Sequence, residues 1–139
     1  MTERREGVVR VTITTDSDVA MARIRTHRLA IDEGFTDVES AALATAVSEL
    51  AQNVFVHAGR GELAVSVVEE PGRVGILAVA RDEGPGIVDI ERAMQDGYST
   101  IGTLGLGLPS ARRLVDELYV LSAPGAGTTV TAKKWKSPR

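Results

Sequence analysis

The feature that most constrains this chain is a helix with a polar pair on the border of its buried face. Leu43, Ala46, Val47, Leu50 and Val54 recur at helical spacing, which predicts an amphipathic helix from near Asp37 to about His57. Its second half reads Ser48-Glu49-Leu50-Ala51-Gln52-Asn53. Glu49 and Asn53 stand one turn apart, roughly 40° from each other around the axis, while Leu50 lies about 100° from Glu49. The pair therefore borders the apolar stripe without interrupting it and can line a pocket at the edge of the core. A carboxylate and an amide carbonyl so spaced can share a metal-bound phosphate, with the carboxylate free to take a proton. A solvated pair on a surface helix would read the same, so the rest of the chain must decide.

The stripe needs a partner layer, and the flanking sequence supplies one. Val8 to Thr14 alternates like a strand. Asp16, Ser17 and Asp18 offer N-caps to a helix that runs to about Glu33, with Gly34 placed to stop it. The basic residues Arg23, Arg25, His27 and Arg28 mark a solvated or partner-facing side. After Gly59 come two apolar strands, Glu62 to Val68 and Val74 to Ala80, joined by Glu70-Pro71-Gly72-Arg73. The second is nearly continuous in apolar residues, which predicts a central place in the sheet. A short helix is expected at Ile90 to Met94, and another from Pro109 through Ala111, Leu114 and Val115. Leu118 to Ser122 and Thr128 to Lys134 close the chain as strands around Pro124-Gly125-Ala126-Gly127. Residues 1–7 and 136–139 are expected to be flexible.

Composition removes several chemistries. Net charge is −3 over 139 residues without a block of like charge, so neither nucleic acid nor a membrane surface is an expected partner. Cysteine is absent and histidine occurs twice, which excludes thiol catalysis, disulfides and thiolate zinc sites. No apolar run approaches the length of a membrane span, and the charged N-terminus does not read as a signal peptide. A single cytoplasmic domain is the expectation.

Three further stretches carry chemistry. Asp82 ends the apolar strand and leads into Glu83-Gly84-Pro85-Gly86-Ile87. Glycine there lets a flat ligand approach the backbone, and the carboxylate can accept from an exocyclic amine such as that of adenine. From Gln95 to Leu108 the pattern dissolves into Gly, Ser and Thr. Gly102, Gly105 and Gly107 precede a helix start, where backbone amides can receive phosphate oxygens. Neither a P-loop nor a dinucleotide fingerprint fits their spacing. Ser99, Thr100 and Thr103 add hydroxyls. Finally, Gly127-Thr128 opens the last strand. A turn, a linker loop and an ordinary strand residue would explain these stretches one at a time, but not their order.

That order resembles the nucleotide-binding fold shared by gyrase, Hsp90, histidine kinases and related serine kinases, the GHKL or Bergerat family. Ser48 to Asn53 is similar to its N box and Asp82 to Ile87 to its first glycine box. Gly105-Leu106-Gly107-Leu108 is similar to its second, and Gly127-Thr128 to its terminal Gly-Thr element. Within the family the chain looks closest to the small serine/threonine kinases of the anti-sigma class, and among those to the stressosome switch kinases. Met94-Gln95-Asp96-Gly97-Tyr98-Ser99-Thr100 and the ending Gly127 to Trp135 support that choice. His57 is a departure, at a position where switch kinases more often carry an uncharged residue.

The resemblance implies an α+β, two-layer sandwich: a mixed or mostly antiparallel sheet with helices on one face and ATP held between helices and a lid. It implies Asn53 on Mg2+, Glu49 as catalytic base, Asp82 on the adenine amine and Thr128 near the base through water. Gly84, Gly86, Ile87, Ser99, Thr100, Gly102, Gly105, Leu106, Gly107 and Leu108 would complete the nucleotide site. The implied activity is transfer of the γ-phosphoryl of ATP to a serine or threonine of a STAS-domain protein. Release onto a PP2C-type phosphatase, direct binding of a sigma factor, and a homodimer are further relationships it suggests; a non-catalytic ATP-binding module is the remaining alternative. His57 serves there either as a structural histidine or as a contact at the nucleotide edge.

Overall fold

The computed structural model describes residues 2–87 and 107–138. Its described elements are β1 (Thr2–Ile13), α1 (Asp16–Asp32), α2 (Asp37–Ala58), β2 (Gly61–Glu70), β3 (Arg73–Asp82), α3 (Leu108–Leu114), β4 (Glu117–Ser122) and β5 (Thr128–Trp135). The expected helix at Ile90 to Met94 lies outside the described residues. None of the described helices is long and apolar enough to cross a membrane.

The five strands form one sheet in the order β1-β2-β3-β5-β4, and every pairing is antiparallel. The sheet is thus not mixed. β3 is its middle strand, as its near-continuous apolar run predicts. Gly72, at positive φ, completes the tight β2–β3 turn, and Arg73 closes it with a 2.8 Å ion pair to Glu70.

Alternation sends Leu63, Val65 and Val67 of β2 and Ile76, Ala78 and Ala80 of β3 to one face, together with Val130 and Ala132 of β5, all buried. Against that face pack Leu43, Ala46, Val47, Leu50 and Val54 of α2, each no more than 2% exposed. The predicted stripe is therefore the part of the core that α2 supplies, and α1 and α3 add Val19, Ala22, Leu29, Ala30, Leu108 and Ala111. Burying one Leu or Val side chain contributes about 1.5–3 kcal/mol, so this seam dominates stability.

The starts of α1 and α2 are set by side-chain caps. Thr15, not one of the three residues after it, caps α1 and forms a capping box with Asp18. Thr36 and Glu39 form the same box at the start of α2, and Gly59 in the left-handed region stops that helix. A threonine three residues before an acid carries this signal, and both are readable in the sequence.

Pairing and hydrogen bonds reach toward both chain ends. β1 starts at Thr2, pairs with β2 from there, and passes through an irregularity between Arg4 and Val9. At the other end, the Lys136 N–H donates to the Val74 carbonyl at 2.8 Å. Glu39 accepts from both the Ser137 N–H (2.9 Å) and its hydroxyl (2.6 Å). These tail donors satisfy a carboxylate that is buried and needs partners.

Candidate nucleotide and phosphoryl-transfer site

Glu49 and Asn53 lie half-exposed on α2, beside the fully buried Leu50 and Val54. The polar pair does border the core stripe. Burial, with no other resolved cause, pushes the Glu49 carboxyl above the usual carboxylate range. Across from it sits Gly107, the left-handed N-cap of α3 at φ 68°. A Cβ on Gly107 would fall 3.1 Å from Cδ of Glu49 and closer still to its Oε2. Glycine is required here twice, by the backbone angle and by the carboxylate. Leu108 follows with its side chain fully buried in the core, so it can offer a ligand only its backbone. Ser99, Thr100, Gly102, Gly105 and Leu106 lie outside the described residues.

The second wall is a row of direct cross-strand partners, Gly61, Asp82, Thr128 and Ser122, running over β2, β3, β5 and β4. All four belong to the helix-bearing face, since they continue the alternation of Leu63, Ala80, Val130 and Val120. Gly61 leaves room for α2: a Cβ there would fall 3.2 Å from Asp82 Cβ and 2.5 Å from the Val54 side chain. Asp82 therefore stands under the last turns of α2, within one sheet row of Thr128. Its Oδ1 accepts from the Gly84 N–H at 2.9 Å. Its other oxygen has no partner among the described residues.

The glycine turn after Asp82 is docked against protein on two sides. A Cβ on Gly84 would fall 2.7 Å from Ala58 Cβ, at the end of α2. A Cβ on Gly86 would collide with the Ala123 carbonyl. The Gly125 N–H donates to the Pro85 carbonyl at 2.7 Å, and the Ile87 N–H to Ser122 Oγ at 2.8 Å. Close packing of Ala58 and of the β4–β5 turn accounts for both glycines, and it locks the position of Asp82.

Two residues join the site that sequence reasoning left aside or undecided. His57, one turn beyond Asn53, is half-buried; burial lowers its pKa and the nearby Asp82 charge raises it. It therefore lies close enough to Asp82 to sense its charge. Ser122 reads in sequence only as the end of a strand, yet it bonds to Ile87, Gly127 and Thr128. A hydroxyl five residues before Gly127, at the last position of a strand, is the signal that could have found it.

Among the described residues no group of three or more His, Cys, Asp or Glu could hold a metal. Asn53 and Glu49 supply oxygen donors suited to a hard cation, but not a cage. Such a pair fits Mg2+ that takes its other ligands from water and phosphates, as Mg2+ commonly does. The Asp82 oxygen that has no partner among the described residues fits an amine-bearing base.

Comparison with known proteins agrees with this geometry. The histidine kinase-like ATPase domain family matches residues 11–134. The serine/threonine-protein kinase RsbT of Bacillus subtilis (strain 168) is 43% identical over 125 residues, covering 90% of this chain and 94% of that protein. The anti-sigma F factor of Geobacillus stearothermophilus is 37% identical over 106 residues, 71% of each chain. Among solved structures, the RsbU and RsbW domains of Rv1364c from Mycobacterium tuberculosis share the fold, with a TM-score of 0.59 at 20% identity. That match covers 94% of this chain and 33% of the solved one. The chain belongs to the histidine kinase-like ATPase (GHKL) family, in the serine/threonine-kinase branch that holds RsbT and the anti-sigma factors.

Proposed function

We propose that this protein is a cytoplasmic, ATP- and Mg2+-dependent kinase that phosphorylates a serine or threonine of a STAS-domain regulatory protein and acts as a partner switch. The observation that carries the reading is Glu49: a half-buried carboxylate, raised in pKa by burial, with no hydrogen-bond or ionic partner among the described residues. A carboxylate so placed is a better base than a solvated one, since desolvation strengthens its hold on a proton. It would take the proton of the incoming hydroxyl. Asn53 would ligate Mg2+ through its amide oxygen, and Mg2+ when bound would offset charge on the phosphates. Asp82 would accept from the adenine amine with its free oxygen. Thr128 would meet the base edge beside it. Phosphate contacts by Gly102 and Gly105, and contacts by Ser99, Thr100 and Leu106, are part of the same proposal. The partner relationship follows the likeness to RsbT: unphosphorylated partner would retain the kinase, and phosphorylation would release it to a PP2C-type phosphatase.

Transfer of labelled γ-phosphate to a purified STAS-domain protein tests the reading, with wild type beside Glu49→Ala and Asn53→Ala. Label on the partner with wild type alone is the expected result. Absence of transfer to several STAS proteins encoded beside this chain would overturn it.

Direct capture of a sigma factor is a second reading, favoured by the 34–38% identity to several anti-sigma F factors. Co-purification with a sigma factor, relieved by an unphosphorylated STAS protein, would support it over the switch.

A further inference from the structure

The Ser122 hydroxyl is saturated, and how it is saturated dictates what Thr128 can do. Ser122 Oγ lies 2.9 Å from the Gly127 carbonyl oxygen, 2.8 Å from Thr128 Oγ1 and 2.8 Å from the Ile87 N–H. A serine hydroxyl has one proton and two lone pairs. The Ile87 N–H must donate, so it occupies one lone pair. The Gly127 carbonyl can only accept, so it takes the serine proton. Thr128 must then donate its own proton to the second lone pair. The opposite assignment, with serine donating to threonine, would leave the Gly127 carbonyl without this bond. The first arrangement makes all three bonds and the second makes two. Unmade bonds at half-buried groups are costly, which decides for the first.

Thr128 is thereby left with lone pairs only. Its cross-strand neighbour Asp82 likewise has one carboxylate oxygen with no partner among the described residues, the other being held by Gly84. Two side-chain acceptors addressed to the purine 6-substituent, one for each hydrogen of the adenine amine, favour that amine and oppose a carbonyl at the same place. We infer that Ser122 is a specificity-determining positioning residue: by holding the Thr128 proton it leaves both side chains as acceptors and sets the preference for adenine over 6-oxopurines. Ser122 touches no nucleotide in this scheme. It acts through Thr128, and the inference rests on the reading that Asp82 and Thr128 receive the base.

The test compares binding of ATP and inosine triphosphate, which differ at the purine 6-position and the adjoining ring nitrogen, by calorimetry on the whole chain. Ser122→Ala frees the Thr128 proton to turn into the pocket and meet the inosine carbonyl. The ATP-to-inosine-triphosphate preference is expected to fall, by about the three- to tenfold that one hydrogen bond of this kind is worth. Ser122→Thr keeps the hydroxyl and is expected to keep the preference. Loss of the Ile87 clamp alone would weaken both nucleotides alike and leave their ratio unmoved; that result overturns the inference. If circular dichroism shows Ser122→Ala unfolded, Ser122→Val, which also lacks the hydroxyl and suits a strand, replaces it, and the same fall in ratio is required. Asp82→Asn separates the two levels. If it leaves the preference intact, the base-site reading itself fails. If it abolishes the preference while Ser122→Ala does not, the role of Ser122 alone fails.

Discussion

Gly107 faces the Glu49 carboxylate so closely that any side chain at 107 would occupy the place of Oε2. The N-cap of α3 and the middle of α2 are thus fitted to each other through one missing Cβ. Gly107→Ala is expected to abolish detectable phosphoryl transfer, because the carboxylate must swing away. The left-handed φ of 68° adds a backbone cost of about 1–2 kcal/mol for a residue with a Cβ. A radiolabel transfer assay beside a thermal melt reads both: activity lost, melting temperature lowered by several degrees, fold retained.

Glu49→Gln keeps shape and removes the base. Transfer should fall by about a hundredfold or more, the usual contribution of a general base, while the dissociation constant for ATP stays nearly unchanged. The same substitution should raise the melting temperature at neutral pH. Burial raises the Glu49 pKa, so the folded state disfavours the charged form. That penalty is absent below the unfolded pKa and grows as pH rises through the folded one. Gln carries no such penalty. Transfer by wild type should fall as pH drops through a value above the ordinary glutamate range.

Glu39 makes the opposite linkage. Burial alone would raise its pKa, but hydrogen bonds from Ser137 and Thr36 outweigh that and pull it to about 2. A depressed carboxylate contributes stability above its unfolded pKa of about 4.5 and loses it as pH falls toward 2. Glu39→Ala should cost about 2 kcal/mol at neutral pH, since it removes the α2 capping box and the anchor of the C-terminal tail together. Chemical denaturation at pH 7 and pH 3 checks this: the gap between wild type and variant should narrow at the lower pH.

His57 should titrate below the ordinary imidazole range, because burial outweighs the pull of Asp82. Removing that anion with Asp82→Asn is expected to lower the His57 pKa further. Histidine ring shifts followed by NMR across pH 4 to 8 would read it. An unchanged His57 titration in the variant would show that the two side chains do not sense each other.

Much of the fold was legible because it rests on periodicity and on local chemistry. The stripe from Leu43 to Val54 names the buried face of α2 whatever it packs against, and the apolar run of β3 names the middle strand. The Thr15-Asp18 and Thr36-Glu39 boxes are local and could be read residue by residue, although the acidic residues after Thr15 drew the cap of α1 to the wrong position. The contact of Ser137 with Glu39 was not legible, because the two residues lie 98 positions apart in sequence.

The sequence by itself determined that Glu49 and Asn53 share a helix face at the border of the core. It also determined that Asp82 ends the central strand and that glycines follow it. These facts depend on spacing within one element, which the chain carries locally. Only the tertiary structure decided what each group meets. It set Gly107 against Glu49, Gly84 against Ala58, Gly86 against Ala123, and Ser122 into one row with Thr128 and Asp82. Such contacts arise from strand register and helix packing across long stretches of chain, and a hydroxyl's hydrogen-bonding direction depends on all of its neighbours at once. Spacing can place a side chain on a face; the folded chain determines which partners saturate it.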